Sequence, residues 1–157
     1  TLCFARRFEE AIAGFEEALE LDAQFPYAHF GLALAYGEVG RHGEAVEAAG
    51  RARELSGGTN ATRAIEGYAL ARAGETASAR GILEALEAAK ATRHVQASRF
   101  ALILAGLGET ERALDQLALA CDERSRFVVF LGTWSIYDRL RGEGRFGALL
   151  ERVGLTG

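Results

Sequence analysis

The chain has 157 residues, about the length of one domain, and its 49% hydrophobic residues are enough for a buried core, which excludes wholesale disorder. The formal net charge of -4 argues against a nucleic-acid-binding protein and against a polybasic membrane-surface protein, because both need a cationic face. A single proline among many alanines favours helices, and the 19 glycines are then expected mainly at helix ends.

The sequence begins at Thr1 and contains no methionine, so we expect a processed or excised piece, or a chain whose true start is missing. It shows no secretory signal and no apolar run long enough for a bilayer, and we expect a cytoplasmic protein without membrane contact. The two cysteines, Cys3 and Cys121, cannot form a disulfide framework or a closed zinc site. We expect both to be small buried hydrophobes.

The first helix is predicted between Arg6 and Leu21, with one apolar face at helical spacing. That face consists of Phe8, Ile12, Phe15 and Leu19. Pro26 suits the first turn of a second helix that ends near Val39, where Gly40 fits a left-handed position. A third helix is predicted from about Arg41 to Leu55, ended by Ser56, Gly57 and Gly58.

The same plan is predicted twice more along the chain. One helix spans about Asn60 to Ala73 and ends at Gly74, and Thr76 is the expected N-cap of the next helix. A further helix is predicted near His94 to Leu107 with Gly108 at its end, followed by a helix from Thr110 to about Cys121.

A period of 34 residues relates these segments: Gly40, Gly74 and Gly108 are in one phase, and Ala11, Ala45, Ala79 and Ala113 are in another. The triplet Gly-Glu-Thr at Gly74 recurs at Gly108. A fixed period of this length indicates a helix pair that buries its apolar face only by stacking on its neighbours.

Pro26–Thr59 resembles a tetratricopeptide repeat, and the matching positions are Leu32, Ala33, Tyr36, Gly40, Ala45 and Ala52. Asn60–Arg93 and His94–Phe127 resemble the repeat more weakly, and Arg6–Phe25 resembles its second half. The family's tryptophan position holds His29, Arg63 and Ala97, so the array is diverged. The resemblance implies an all-α fold, a right-handed superhelical solenoid of tetratricopeptide-like helix pairs.

The expected organisation is a repeat array over 1–127 and a C-terminal helical cap over 128–157. The array divides into a half repeat 1–25 and repeats 26–59, 60–93 and 94–127.

The register of the period is lost after Phe127, and the tail reads as an atypical closing element. Trp134–Arg141 and Arg145–Leu155 are predicted to be short helices, and Phe127–Leu131 is predicted helical because a lone strand would have no partner. The tail resembles the closing segment of repeat arrays in bacterial signalling proteins. Its matching positions are Asp138, Leu140, Arg141, Arg145, Phe146, Leu149, Leu150, Gly154 and Leu155.

In tetratricopeptide arrays the first helix of each unit lines a concave groove, and the resemblance therefore implies a partner-binding surface. Its candidate residues are Tyr27, Phe30, Leu34, Glu38, Ala64, Tyr68, Arg72, Ser98, Arg99 and Leu102. The alternative is that half of these side chains pack between helices. The positions of the family's carboxylate clamp hold Phe30, Leu34, Ala64 and Tyr68, so chaperone tails are not expected. An extended or helical peptide is expected instead, with Arg72 and Arg99 pairing its acidic side chains.

No catalytic or cofactor-binding constellation is evident in the sequence, and we expect no enzyme, no cofactor and no metal site. Gly142–Gly147 matches the glycine spacing of a dinucleotide-binding motif, but it lacks the strand that precedes such a motif. It is predicted to be a turn between helices. Asn60, in a glycosylation-like triplet, is predicted to be a helix-start residue.

The leading hypothesis is a non-enzymatic protein–protein interaction module that presents a concave groove to a peptide or partner domain. The alternative is a cis-acting regulatory or sensor domain of a larger bacterial signalling protein, such as a kinase, a nucleotide cyclase or a winged-helix transcription regulator. A weaker hypothesis is self-association through exposed tail aromatics, namely Phe127, Phe130 and Trp134.

Overall fold

A computed structural model describes residues 7–155 and shows an all-α fold, which confirms the predicted fold class. Within that range there are eight α-helices, two 3₁₀-helices and no strand. The α-helices are α1 (Phe8–Leu21), α2 (Pro26–Glu38), α3 (His42–Leu55), α4 (Asn60–Arg72), α5 (Thr76–Ala89), α6 (Ala97–Leu107), α7 (Thr110–Asp122) and α8 (Gly144–Arg152). The 3₁₀-helices are η1 (Arg126–Phe130) and η2 (Ser135–Leu140). Cys3 lies outside the described residues.

The α-helices pack in two layers. Helices α2, α4 and α6 form one layer, in which α4 contacts both α2 and α6. Each of them also packs on the helix that follows it, so that α2 pairs with α3, α4 with α5 and α6 with α7, while α1 packs on α2. This arrangement is the helical-repeat solenoid of tetratricopeptide-like pairs that the period predicts.

The 34-residue glycine period marks the same turn three times. Gly40, Gly74 and Gly108 have φ angles of 80°, 85° and 74°, the left-handed conformation that glycine adopts without strain. The residue after each glycine donates its N–H to the carbonyl five positions earlier, at 2.9 Å in all three turns. The glycines therefore end α2, α4 and α6 in the same way, as predicted.

Two helix starts differ from the sequence prediction. Thr76 is the first residue of α5, and Glu75 is its N-cap, without a side-chain hydrogen bond. The tight turn accounts for this difference, because the Thr76 N–H donates to the Gly74 carbonyl at 2.9 Å and α5 begins one residue earlier than predicted. Helix α6 starts only at Ala97, three residues after His94, where the Glu123 carboxylate accepts the Ala97 N–H at 3.0 Å.

Helix α4 starts at Asn60, as predicted, and its cap is the residue before. The Thr59 hydroxyl accepts the N–H of Thr62 at 3.2 Å. This satisfies one of the four N–H groups that a helix start leaves open.

Glycines let α4 and α6 approach closely in the first layer. A Cβ on Gly106 of α6 would lie 2.9 Å from a ring carbon of Tyr68 and 3.1 Å from the Ala71 Cβ. A Cβ on Gly67 of α4 would lie 2.9 Å from the Ile103 side chain. Side chains there would force the two helices apart, so the small residues fix the spacing between the second and third pairs.

The tail packs on the last helix pair, with η2 on α6 and with η1 and α8 on α7. The predicted helices near Phe127 and Trp134 are 3₁₀-helices, and the last predicted helix is α8. The buried apolar side chains of the tail are Leu131, Trp134, Ile136, Tyr137, Leu140, Phe146 and Leu149. Apolar side chains of the tail therefore lie against the last helix pair, and a capping role for the tail stays a prediction.

The expectation that Trp134 is exposed for self-association is wrong. Only 6% of Trp134 is accessible, because its ring lies parallel to the Phe127 ring at a centroid distance of 6.1 Å and meets the Tyr137 ring edge-on at the same distance. Phe127 and Phe130 are half-buried. The aromatic run of the tail thus belongs largely to the packing of the cap.

The predicted unit boundaries after residues 25, 59 and 93 lie between helices, and the boundary after 127 lies inside η1. How the chain divides into units stays a prediction. Among residues 7–155, no helix combines the length and the apolar character needed to cross a membrane.

Candidate functional site

The ten candidate groove residues fall into two groups by exposure. Tyr27 is 77% exposed and Phe30 is half-buried on α2, while Arg99 on α6 is also partly accessible. Glu38 and Arg72 are half-buried near the other ends of α2 and α4. The remaining five are buried between helices: Leu34, Ala64, Tyr68, Ser98 and Leu102.

Glu38, Tyr68 and Arg72 form one hydrogen-bonded chain. The Tyr68 hydroxyl donates to the Glu38 carboxylate at 3.2 Å and accepts from the Arg72 guanidinium at 3.1 Å. Burial raises the pKa of Tyr68, and the Glu38 charge raises it further. The three side chains hydrogen-bond one another, so this end of the layer holds an internally paired polar cluster between α2 and α4.

At the opposite end of the first layer lies an open cavity of about 490 Å³. We call it the cross-unit cavity, because all three helix pairs and the tail contribute to it. Its α2 wall consists of Pro26, Tyr27 and Phe30. Its second wall, from the end of α3 and the start of α4, consists of Ser56, Thr59, Ala61 and Thr62. Its third wall consists of Gln96 and Arg99 with Arg126 and Phe127 of η1.

The third wall is cationic. The Arg99 guanidinium carbon lies 4.1 Å from the centroid of the Phe127 ring, and one of its nitrogens donates to the Gln96 side chain at 3.1 Å. Burial lowers the pKa of Arg99, the Tyr137 hydroxyl opposes this, and the Arg126 charge lowers it further. No carboxylate within residues 7–155 forms an ion pair with Arg99 or Arg126.

Sequence reasoning missed part of this cavity. Tyr27, Phe30 and Arg99 were expected in a groove, but Gln96 and Arg126 were not, and Phe127 was considered only for self-association. The 34-residue period identifies equivalent positions on successive first helices and says nothing about η1, which lies outside the repeat. The available signal was an arginine directly before the aromatic run of the tail.

A second cavity, of about 750 Å³, lies beside α1, α2 and α3 and has several glutamates in its wall. Three of these carboxylates are already paired with arginines: Glu44 with Arg41, Glu54 with Arg51, and Glu66 with Arg53. Its acidic character is therefore largely neutralised.

In the part of the chain that the structure describes, no cluster of three or more His, Cys, Asp or Glu side chains could hold a metal ion. Gly142–Gly147 follows η2 and runs into α8. Gly142 and Glu143 lie between η2 and α8, as predicted, but Gly144–Gly147 belongs to the start of α8, so the predicted turn is wrong for that part of the segment. Cys121 is buried and has a free thiol, as expected.

Residues 7–40 match the family model described as TPR repeat. The matched segment contains α1, α2 and the Gly40 turn, so it crosses the predicted unit boundary after residue 25. No curated protein and no solved structure matches the chain significantly. TPR repeats typically mediate protein–protein interactions and are generally not catalytic.

Proposed function

We propose that this chain is a non-enzymatic protein–protein interaction module whose partner binds in the cross-unit cavity. The observation that carries the proposal is the cavity itself, which is open, crosses three helix pairs and presents Tyr27 with 77% of its surface exposed. The TPR repeat match favours a protein partner over a small molecule.

The chemistry of the cavity suits a peptide segment. Its volume of about 490 Å³ holds a few side chains, which is small for a whole partner domain and large for a single residue. Tyr27 and Phe30 offer aromatic surface of the kind that dominates protein interfaces. The hydroxyls of Ser56 and Thr59 also reach the cavity wall, where both already hydrogen-bond Thr62 within the chain.

Site-specific photocrosslinking tests this proposal. A photoreactive phenylalanine analogue at position 27 is expected to form adducts with a partner in source cells. The matched control carries the analogue at Leu21, which is 88% exposed, one helix away and outside the cavity. Equal adducts from both positions, or none from position 27, would refute the cavity as the binding site.

The cis-acting regulatory alternative draws on the tail motif, and the structure gives that motif a structural use. The Arg141 guanidinium bonds the Asp138 carboxylate at 2.6 Å and the Gly132 carbonyl at 2.9 Å, which closes the turn after η1. Asp138 and Arg141 of the motif thus have a part in folding. Crosslinks from position 27 to another part of the same polypeptide would favour the alternative. Weak self-association and a cytoplasmic location stay predictions.

A further inference from the structure

The third wall of the cross-unit cavity brings two arginines together without a carboxylate paired to either. Other arginines in residues 7–155 do form ion pairs with carboxylates, among them Arg41, Arg53, Arg80, Arg145 and Arg152. Arg99 and Arg126 face one cavity and repel each other, with no carboxylate paired to either among the described residues. In a chain with net charge -4, this leaves a local positive site next to apolar walls.

Two contacts position the Arg99 side chain in the cavity wall. Its guanidinium carbon lies over the Phe127 ring, and one of its nitrogens donates to the Gln96 side chain. A guanidinium has five N–H donors, and only the bond to Gln96 uses one of them here. A partly buried cation without a counter-ion is unfavourable, and a carboxylate that binds in the plane of the guanidinium would relieve that cost.

We propose that Arg99 and Arg126 bind an acidic side chain of a partner peptide, next to an apolar side chain of the same peptide held between Tyr27, Phe30 and Phe127. This inference rests on the proposed function and gives it a recognition chemistry. Arg126 and Phe127 belong to η1, so the tail forms part of the binding site in addition to packing on the last helix pair.

A peptide carboxylate fits this site better than a nucleic acid does. Binding to a phosphate backbone needs several cationic contacts, and this cavity offers two arginines on a protein of net charge -4. The apolar walls on α2 and η1 match peptide side chains, which supply one acidic and one apolar group a short distance apart.

Selection from a random library of short, C-terminally amidated peptides tests the inference, because side chains are then the only carboxylates. The wild-type chain is expected to enrich peptides with Asp or Glu close to an aromatic or aliphatic residue. Arg99→Gln and Arg126→Gln are each expected to weaken binding of the best fluorescein-labelled peptide by about tenfold or more, while Arg139→Gln leaves it unchanged. Arg139 is an exposed arginine outside the cavity, so it removes the same charge elsewhere.

If Arg99→Gln weakens the packing of the tail, the test still rests on Arg126→Gln, because Arg126 is exposed and its replacement removes charge without disturbing a buried contact. Two outcomes overturn the inference alone: selected peptides that lack acidic enrichment, or peptide affinities that are equal in wild type and both variants. Arginine-dependent binding of a single-stranded oligothymidylate in place of any peptide would also overturn it. Enriched peptides that bind equally well to a Tyr27→Ala chain would refute the proposed function itself.

Discussion

Tyr68 is predicted to be a groove residue, and the structure places it in the core of the molecule. Only 1% of its surface is exposed, and its hydroxyl joins Glu38 to Arg72. Helix α6 lies against the ring through Gly106. The ring is therefore an element of the contact between α4 and α6.

Removing the ring or the hydroxyl of Tyr68 should separate these two roles. Tyr68→Ala is expected to lower the free energy of unfolding by about 3–5 kcal/mol, because it leaves a large cavity. Tyr68→Phe is expected to cost about 1 kcal/mol, since it removes one hydrogen-bond partner of Glu38 and Arg72. Urea denaturation followed by circular dichroism measures both. A Tyr68→Ala chain as stable as wild type would show that the ring is not packed as described.

The thiol of Cys121 should be protected in the folded chain. Burial raises its pKa, Arg152 lowers it and Asp122 raises it again. Because the pKa of the thiol is higher in the folded chain than in the unfolded chain, the protonated thiol contributes to the free energy of unfolding. That contribution is complete below the pKa of the unfolded thiol and is lost as pH rises through the pKa of the folded one. With Cys3→Ser to remove the other thiol, a thiol-reactive dye at mildly alkaline pH is expected to label native Cys121 much more slowly than the urea-unfolded chain. Equal rates would contradict its burial.

At the scale of single elements, contacts through glycine set how closely helices pack. Gly31 of α2 lies directly under the Phe15 ring of α1, and a Cβ built on Gly31 would overlap that ring. By contrast, Gly81 in α5 has nothing near the position of its Cβ. Helix propensity alone would favour alanine at both positions by about 1 kcal/mol.

The two glycines therefore predict opposite signs for the same substitution. Gly31→Ala is expected to destabilise the chain by about 1–3 kcal/mol through overpacking against α1. Gly81→Ala is expected to stabilise it by up to about 1 kcal/mol. Thermal unfolding of the two single variants is the measurement. Adding Phe15→Leu should recover part of the loss in the first variant, and a stabilising Gly31→Ala would contradict the close contact.

The tail offers a second comparison between elements, because α8 is attached to α7 by ion pairs and to η2 by an aromatic contact. Arg145 reaches Glu111 and Asp115 at 2.6 Å, but these groups are largely exposed. Phe146 has no exposed surface and lies beside the Tyr137 ring, with a centroid distance of 6.4 Å. Burial should dominate, because solvent screens exposed ion pairs.

Phe146→Ala is accordingly expected to lower the free energy of unfolding by about 3–5 kcal/mol, whereas Arg145→Ala should change it little. Urea titrations of both variants at low and high salt provide the measurement. A large, salt-dependent loss in Arg145→Ala would mean that charge pairing holds the cap in place.

The existence of α1 to α7 and the C-terminal ends of α2, α4 and α6 could be predicted from this sequence, because they depend on local chemistry. Gly40, Gly74 and Gly108 allow a backbone conformation that other residues resist, and the period shows all three at once. The faces of the first helices could not be predicted. All residues from Gly31 to Gly37 are buried in α2, as are most residues of α6, so a helix covered on every side has no polar stripe to orient it.

At the scale of the whole molecule, stability should be greatest where helices have neighbours on several sides. Helix α6 contacts α4, α5, α7 and η2, whereas α1 packs chiefly on α2 and leaves Leu21 exposed. In a solenoid each pair depends on the next, so local opening should begin at the less covered end.

Native-state hydrogen exchange is expected to show the slowest amides in α4 and α6 and the fastest helical amides in α1. The Phe146→Ala variant should accelerate exchange in α6 and α7 more than in α2. Uniform protection from α1 to α7 would contradict this order and would indicate a single cooperative unit.

The participation of η1 in the cross-unit cavity has a consequence for how this gene can change by duplication. Repeat arrays grow when a unit is copied and inserted, and most positions tolerate the insertion because each pair recognises only its neighbours. A unit copied in between α7 and η1 would carry Arg126 and Phe127 one unit farther from Tyr27 and Phe30, and the three walls would no longer enclose one cavity. A chain whose cavity is lined by both α2 and η1 therefore cannot gain a helix pair between them and keep that cavity.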